Sequence, residues 1–178
     1  RADTITVAST WLQRRFGGTL IYHGRDTVAM DPARVSGDSV RETWGLTDRI
    51  VMFLGTPRPH KGVEDLINAI HSLGRPDVLG VIVGVDQRDP YVARLRAMAG
   101  EQVRLLPMQP FDRIAVFLAS AEIVAIPQRQ TPFAQAQVPA KLFDAMAIAS
   151  QHHGLLGHEA HEILEGCGVI VPPGDVGA

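Results

Sequence analysis

The stretches RIVMFLG (49–55) and VLGVIVGV (78–85) are apolar at nearly every step rather than at alternate steps. A half-exposed strand alternates apolar and polar residues, whereas one apolar throughout must be covered on both faces. Between these runs lies VEDLINAIHSL (63–73), where Val63, Leu66, Ile67, Ile70 and Leu73 recur at helical spacing. Such a strand–helix–strand succession leaves few folds open, because parallel strands need long crossovers and the crossover helices then cover the sheet.

The rest of the chain repeats the pattern. TITVAS (4–9) reads as a short strand leading to a helix at STWLQRRFG, with Ser9 or Thr10 as N-cap and Gly17 and Gly18 as the stop. TLIYHG (19–24), VRLLPM (103–108) and EIVAIP (122–127) read as strands. PYVARLRAMAG reads as a helix ending at Gly100, FDRIAVFLASA (111–121) as one with Ile114, Phe117 and Leu118 on its apolar face, and PAKLFDAMAIA (139–149) as another. GVIVPPGD (168–175) suggests a final strand and turn. With right-handed crossovers the expected fold is α/β and Rossmann-like, a mostly parallel sheet with helices on both faces. One domain over 1–178 is expected, and a fragment: RADTITVAS lacks signal-peptide architecture and reads as mid-protein sequence, while PPGDVGA stops where a helix could begin.

A net charge of -2 gives no reason to expect nucleic acid or an anionic membrane as partner, so any anion site must be built locally. Cys167 is the single cysteine, which rules out an internal disulfide and fits a reducing, cytoplasmic setting. No apolar run approaches the ~18 residues of a membrane span.

Ligands of open parallel sheets sit beyond the carboxyl ends of the strands. TPRPHKG follows one strand, and LPMQP and PQRQTPFAQAQVPAK follow others. In the first, Gly55 permits a tight turn and close approach of a ligand, and the helix opening near Val63 offers free N–H groups and a positive dipole end. Lys61 adds a compact charge and Arg58 a planar fork suited to phosphate oxygens. A phosphate site is one reading; a surface turn with solvated basic residues is the other.

The surrounding sequence resembles the donor-binding, C-terminal domain of retaining GT-B glycosyltransferases, glycosyl transferases group 1. VASTWLQRRFGG and IYHGRDT are similar to the stretch that crosses between that family's two domains, so 1–25 is expected to be the crossover region. VRETWGLTDRIVMFLGTPRPHKGVEDLINAI, VPAKLFDAMAIA and HEILEGCGVIVPPGD resemble its successive motifs in order and spacing. The resemblance implies a nucleoside-diphosphate sugar (UDP-, GDP- or ADP-linked) as donor substrate, no required cofactor or metal, and a carbohydrate or lipid-linked acceptor bound by a domain absent here. It also implies that the diphosphate is held by Gly55, Lys61, Gly62 and the helix start at Val138, Pro139 and Ala140, with Lys141 structural or also facing it. Thr56 stands where the family has an arginine, and Arg58 is the expected substitute. Met108 and Gln109 would lie under the nucleobase. Asp144 matches the carboxylate that grips the ribose, whereas Ala136, between Gln135 and Gln137, falls where the family's other carboxylate stands. That loss bears on transfer more than on nucleotide binding; a non-catalytic nucleotide-binding module is one alternative, and a metal-binding domain using the His/Glu segment at 152–162 is the other. The catalytic residues stay unassigned.

SQHHGLLGHEAHEILEG (150–166) departs from the family, which has a buried strand near its start. His153, His158 and His161, with Glu159 and Glu162 nearby, make a transition-metal site conceivable, against a solvated polar loop or an edge strand. Glu162 matches the glutamate that opens the family's next helix.

Overall fold

The computed structural model describes residues 3–148, 161–164, 166, 168–172 and 174–177. Strands β3 (Arg49–Leu54), β4 (Val78–Val85), β5 (Val103–Pro107) and β6 (Ile123–Val124) form one parallel sheet in the order β5-β4-β3-β6. A separate two-stranded parallel sheet pairs β1 (Thr6–Val7) with β2 (Thr19–Leu20).

The continuous apolar strands are buried on both sides, as their sequence requires. Ile50, Met52 and Leu54 of β3 and Leu79, Val81 and Val83 of β4 face one way. They pack on Val40 of α2 (Asp38–Trp44), Phe117 and Leu118 of α5 (Ile114–Ala119), and Ile148 of α7 (Ala140–Ile148). Phe53, Val78, Ile82 and Val85 face the other way, onto Ile67 and Ile70 of α3 (Val63–Leu73) and Val92 and Leu95 of α4 (Pro90–Ala99). Each such fully buried side chain contributes roughly 1.5–3 kcal/mol, and so this central slab anchors everything attached to it.

The caps fix where the elements stop. Ser9 is the N-cap of α1 (Thr10–Phe16), its Oγ accepting the Leu12 N–H at 3.1 Å, and Gly17 closes the helix. α2 escapes the sequence reading because Val40 is its one buried residue and no apolar period shows. Its legible signal is the end: Gly45 in the left-handed region, the Gly45 N–H on Glu42 O at 3.3 Å and the Leu46 N–H on Arg41 O at 2.8 Å, a Schellman closure.

Several expected strands are shorter. TITVAS and TLIYHG pair only over β1 and β2, whose flanks Ile5 and Ile21 are exposed. EIVAIP pairs only over β6, prolonged by the Ala125 N–H on Met52 O at 2.8 Å. The 111–121 helix starts as a tight turn at Phe111–Arg113 before α5, and a short unanticipated helix, α6 (Pro132–Gln135), follows β6. The expected strand at 168–175 is corrected. Its described residues form no ladder, only a turn closed by the Asp175 N–H on Pro172 O at 3.1 Å, since a proline has no N–H to give a neighbouring strand. α8 (His161–Leu164) is the last helix described. Among the described residues, no helix is long and apolar enough to cross a membrane.

From β3 the chain steps outward to β4 and β5, then returns to place β6 on the other side of β3. The strand order reverses there, and a crevice opens beyond the carboxyl ends of β3 and β6.

Candidate anion-binding cleft

The β3–α3 turn is built on glycines with specific tasks. Gly55 leaves β3 at φ 131 with its N–H on Val83 O at 2.9 Å, and a Cβ there would lie 2.8 Å from Lys141 Nζ. Gly62 sits at φ 61, where a Cβ would fall 1.8 Å from Pro127 O, the carbonyl that follows β6. Only glycine lets the turn press against the β6 loop this closely. α3 opens at the next residue, Val63, with no spare linker.

The turn's cations and the start of α7 meet in a cleft of about 420 Å³ lined by Lys61, Lys141, Val138, Pro139 and Ala140, with Phe53 and His23 beside them. Lys61 donates from Nζ to Thr56 O at 2.8 Å and is half-buried; burial first, and then the charge of Arg58, hold its pKa below the ordinary lysine value. The Lys141 amine is buried. Its Nζ lies 4.0 Å over the Phe53 ring, in the space Gly55 leaves open, and has no hydrogen-bond partner among the described residues. Burial, followed by repulsion from Lys61, pushes the Lys141 pKa down to about 7 against an opposing pull from Asp144. His60, in the same turn, is lowered by burial and by Lys61, Arg58 and Lys141 in that order. Two lysines, one helix N-terminus and no carboxylate among the described lining residues make a site suited to an anion.

Residues 38–178 match the family described as glycosyl transferases group 1. The chain belongs to that family. A GDP-mannose-dependent monoacylated alpha-(1-6)-phosphatidylinositol monomannoside mannosyltransferase of Corynebacterium glutamicum is 29% identical over 140 residues, covering 71% of this chain and 37% of that protein. The Anabaena protein Alr3699/HepE, solved in complex with UDP, superposes over 98% of this chain and 51% of its own with a TM-score of 0.82 at 22% identity. A sucrose-phosphate synthase from Thermosynechococcus elongatus covers 100% of this chain and 47% of its own, with a TM-score of 0.76 at 20% identity. At these identities the solved structures share the fold, the parallel α/β architecture of GT-B glycosyltransferases. This chain spans about half or less of the length of each.

Within this glycosyl transferases group 1 domain, the expected site residues divide. Lys61, Val138, Pro139 and Lys141 line the cleft, Gly55 lies against Lys141 Nζ, and Gly62, outside the lining, packs on Pro127. Arg58 does not line it: its side chain is 49% exposed and its Nη1 donates to Asp89 at 2.7 Å. Asp144 is 5% exposed, lies outside the lining, and is paired with Arg25, whose guanidinium also donates to Ala140 O at 2.8 Å and Gly24 O at 2.7 Å. Met108 is 61% exposed and Gln109 donates to Pro107 O at 3.0 Å; both follow β5, and neither lines the cleft. Ala136 and Gln137 do line it.

Sequence reasoning passed over three contributors. His23 lines the cleft, its ring edge-on to Phe143 at 5.9 Å; its position just after β2 is the signal that was available. Gln128 lines it after β6. Arg129 holds Asp65 at 3.0 and 3.1 Å and Glu64 at 3.4 Å, tying the β6 loop to the first turn of α3. Of the metal-site histidines, His153 and His158 lie outside the described residues, as does Glu159, while His161 and Glu162 fall in α8. Among the described residues no group of three or more His, Cys, Asp or Glu could hold a metal ion.

Proposed function

We propose that this chain is the donor-binding domain of a retaining glycosyltransferase, and that the cleft holds the diphosphate of a nucleoside-diphosphate sugar. The observation that carries the reading is the convergence of Lys61, Lys141 and the start of α7 on one cavity free of carboxylates among its described lining residues. These fixed charges and dipoles would stabilise the negative charge that grows on the departing diphosphate, the task a metal ion performs in other transferases. The names of the relatives point the same way: one is GDP-mannose-dependent, and another was solved with UDP. On this reading the full-length protein works in the cytoplasm, with or without peripheral membrane contact, on a carbohydrate or lipid-linked acceptor. This domain alone binds donor but transfers little, because such a site closes between two domains.

Ala136 in the cleft wall favours a second reading, a nucleotide-binding module without catalysis. Sugar transfer by the full-length protein that disappears with Lys61→Ala excludes it. The first experiment is a thermal-shift and calorimetric panel of UDP, GDP and ADP on the wild type and on Lys61→Ala. One diphosphate should stabilise the protein preferentially and bind at least about tenfold more weakly to the variant, the loss of one charge-assisted contact. No binding of any of the three to folded wild type would overturn the proposal.

A further inference from the structure

Lys141 carries a buried amine whose surroundings do not explain its burial: the residue as a whole is half-buried, yet its Nζ is out of contact with water. Amines buried in folded proteins are ordinarily paired or hydrogen-bonded. Among the described residues its Nζ has neither kind of partner, and it rests on the face of Phe53, beneath a glycine whose missing side chain makes its room. Among the described residues, the charged and titratable groups around it are Lys61 and His60 from the β3–α3 turn, His23 from the loop after β2, and Asp144 of α7 with its partner Arg25. The one carboxylate among them, Asp144, is already neutralised by Arg25. The amine is thus shielded from water, lacks a free counter-ion, and lies alongside an open cleft whose other lysine repels it.

We infer that Lys141 is a proton-accepting ligand of the cleft: at mildly alkaline pH its amine is largely uncharged when the cleft is empty, and it takes a proton from solvent when a sugar nucleotide's diphosphate enters. The entering anion supplies the counter-charge that the fold withholds, so the ammonium becomes the favoured form and turns from Phe53 toward the phosphate oxygens. No bond is made or broken except N–H; the neutral amine gains one proton and the buffer loses one. This rests on the proposed donor site and adds that its affinity depends on pH.

The test is calorimetric titration of UDP-glucose and GDP-mannose, run in buffers of differing ionisation enthalpy between pH 6 and pH 8. Sugar nucleotides are suitable because their diphosphate has no ionisation of its own in that range. From a pKa of about 7 in the empty protein, uptake should approach ~0.9 proton per ligand at pH 8 and ~0.1 at pH 6, and affinity should fall about tenfold across the range. Lys141→Met should abolish this uptake, and His60→Gln should leave most of it, which separates the lysine from the neighbouring imidazole. Binding by the wild type with no buffer dependence would overturn the inference and leave the proposed function standing; no binding at any pH would remove both. Should Lys141→Met fail to fold, the wild-type uptake and a titration of the Lys141 Cε resonance still decide the matter.

Discussion

Replacing Lys141 by methionine should stabilise the empty protein, and by an amount that shrinks as pH rises. The side chains are of similar length, and a thioether over the Phe53 ring is a favourable contact. No hydrogen bond to a described residue is lost, because Nζ makes none. The sign follows from the lowered pKa. Between about 7 and the ordinary 10.5, the unfolded lysine carries a proton that the folded one does not, so the fold loses stability as pH falls through this window. With those limits the group costs about 4 kcal/mol at pH 7 and about 2 kcal/mol at pH 9. Urea denaturation followed by circular dichroism, on wild type and variant at both values, isolates the lysine because all other titrations are shared. The variant's advantage should narrow by about 2 kcal/mol from pH 7 to pH 9, equivalent to roughly 4–8 °C in melting temperature for a domain of this size. Parallel pH profiles for the two proteins would show that Lys141 is charged in the fold and refute the reasoning.

Two further substitutions probe the frame of the cleft. Gly62→Ala would put a methyl 1.8 Å from the Pro127 carbonyl at φ 61, where nothing flexible can yield, so a loss of more than about 3 kcal/mol in chemical denaturation is expected, and a change under 1 kcal/mol would deny the close turn-to-loop contact. Arg25→Met would strand the buried Asp144 carboxylate and should cost about 3–5 kcal/mol, with Asp144→Asn in the same chain restoring much of it; an uncoupled double-mutant cycle would show that the pair does not form.

The parts of this fold that show in the sequence are those whose signal is local. α3 and β4 begin and end where periodicity and glycines place them, and α4 runs from its Asp89 cap to Gly100. β1, β2 and β6 read longer than they are, because apolarity continues past the point where a neighbouring strand is present to accept hydrogen bonds. The cleft was half legible. TPRPHKG announces a strand-to-helix turn with cations, and the turn, with its Lys61, does form one wall. The other wall, the start of α7, is legible only through the family resemblance of VPAKLFDAMAIA, and the contacts that set it run across the chain. Arg25 meets Asp144 across 119 positions, and Lys141 fits between Phe53 and the vacancy at Gly55. Arg58, a sensible candidate from its spacing, is drawn away because Asp89, the N-cap of α4, offers it a partner at 2.7 Å.

That last pairing belongs to a wider division of labour. Around the cleft the arginines are matched to carboxylates: Arg25 to Asp144, Arg58 to Asp89, and Arg129 to Asp65 and Glu64. The lysines are not. Lys61 has a backbone carbonyl and Lys141 an aromatic face. A guanidinium holds a carboxylate through a fork of fixed geometry, whereas an ammonium on a flexible stem can be redirected when a ligand arrives. Acidic residues slightly outnumber basic ones in the whole chain, yet the acidic charge nearest the cleft is cancelled in place and the uncancelled charge there is positive. Within about 8–10 Å, the screening length at physiological salt, an approaching anion responds to that local surplus and not to the net charge of -2. A weakly acidic protein can therefore hold a polyanion at one place, provided its arginines first neutralise the carboxylates on which its lysines would otherwise close.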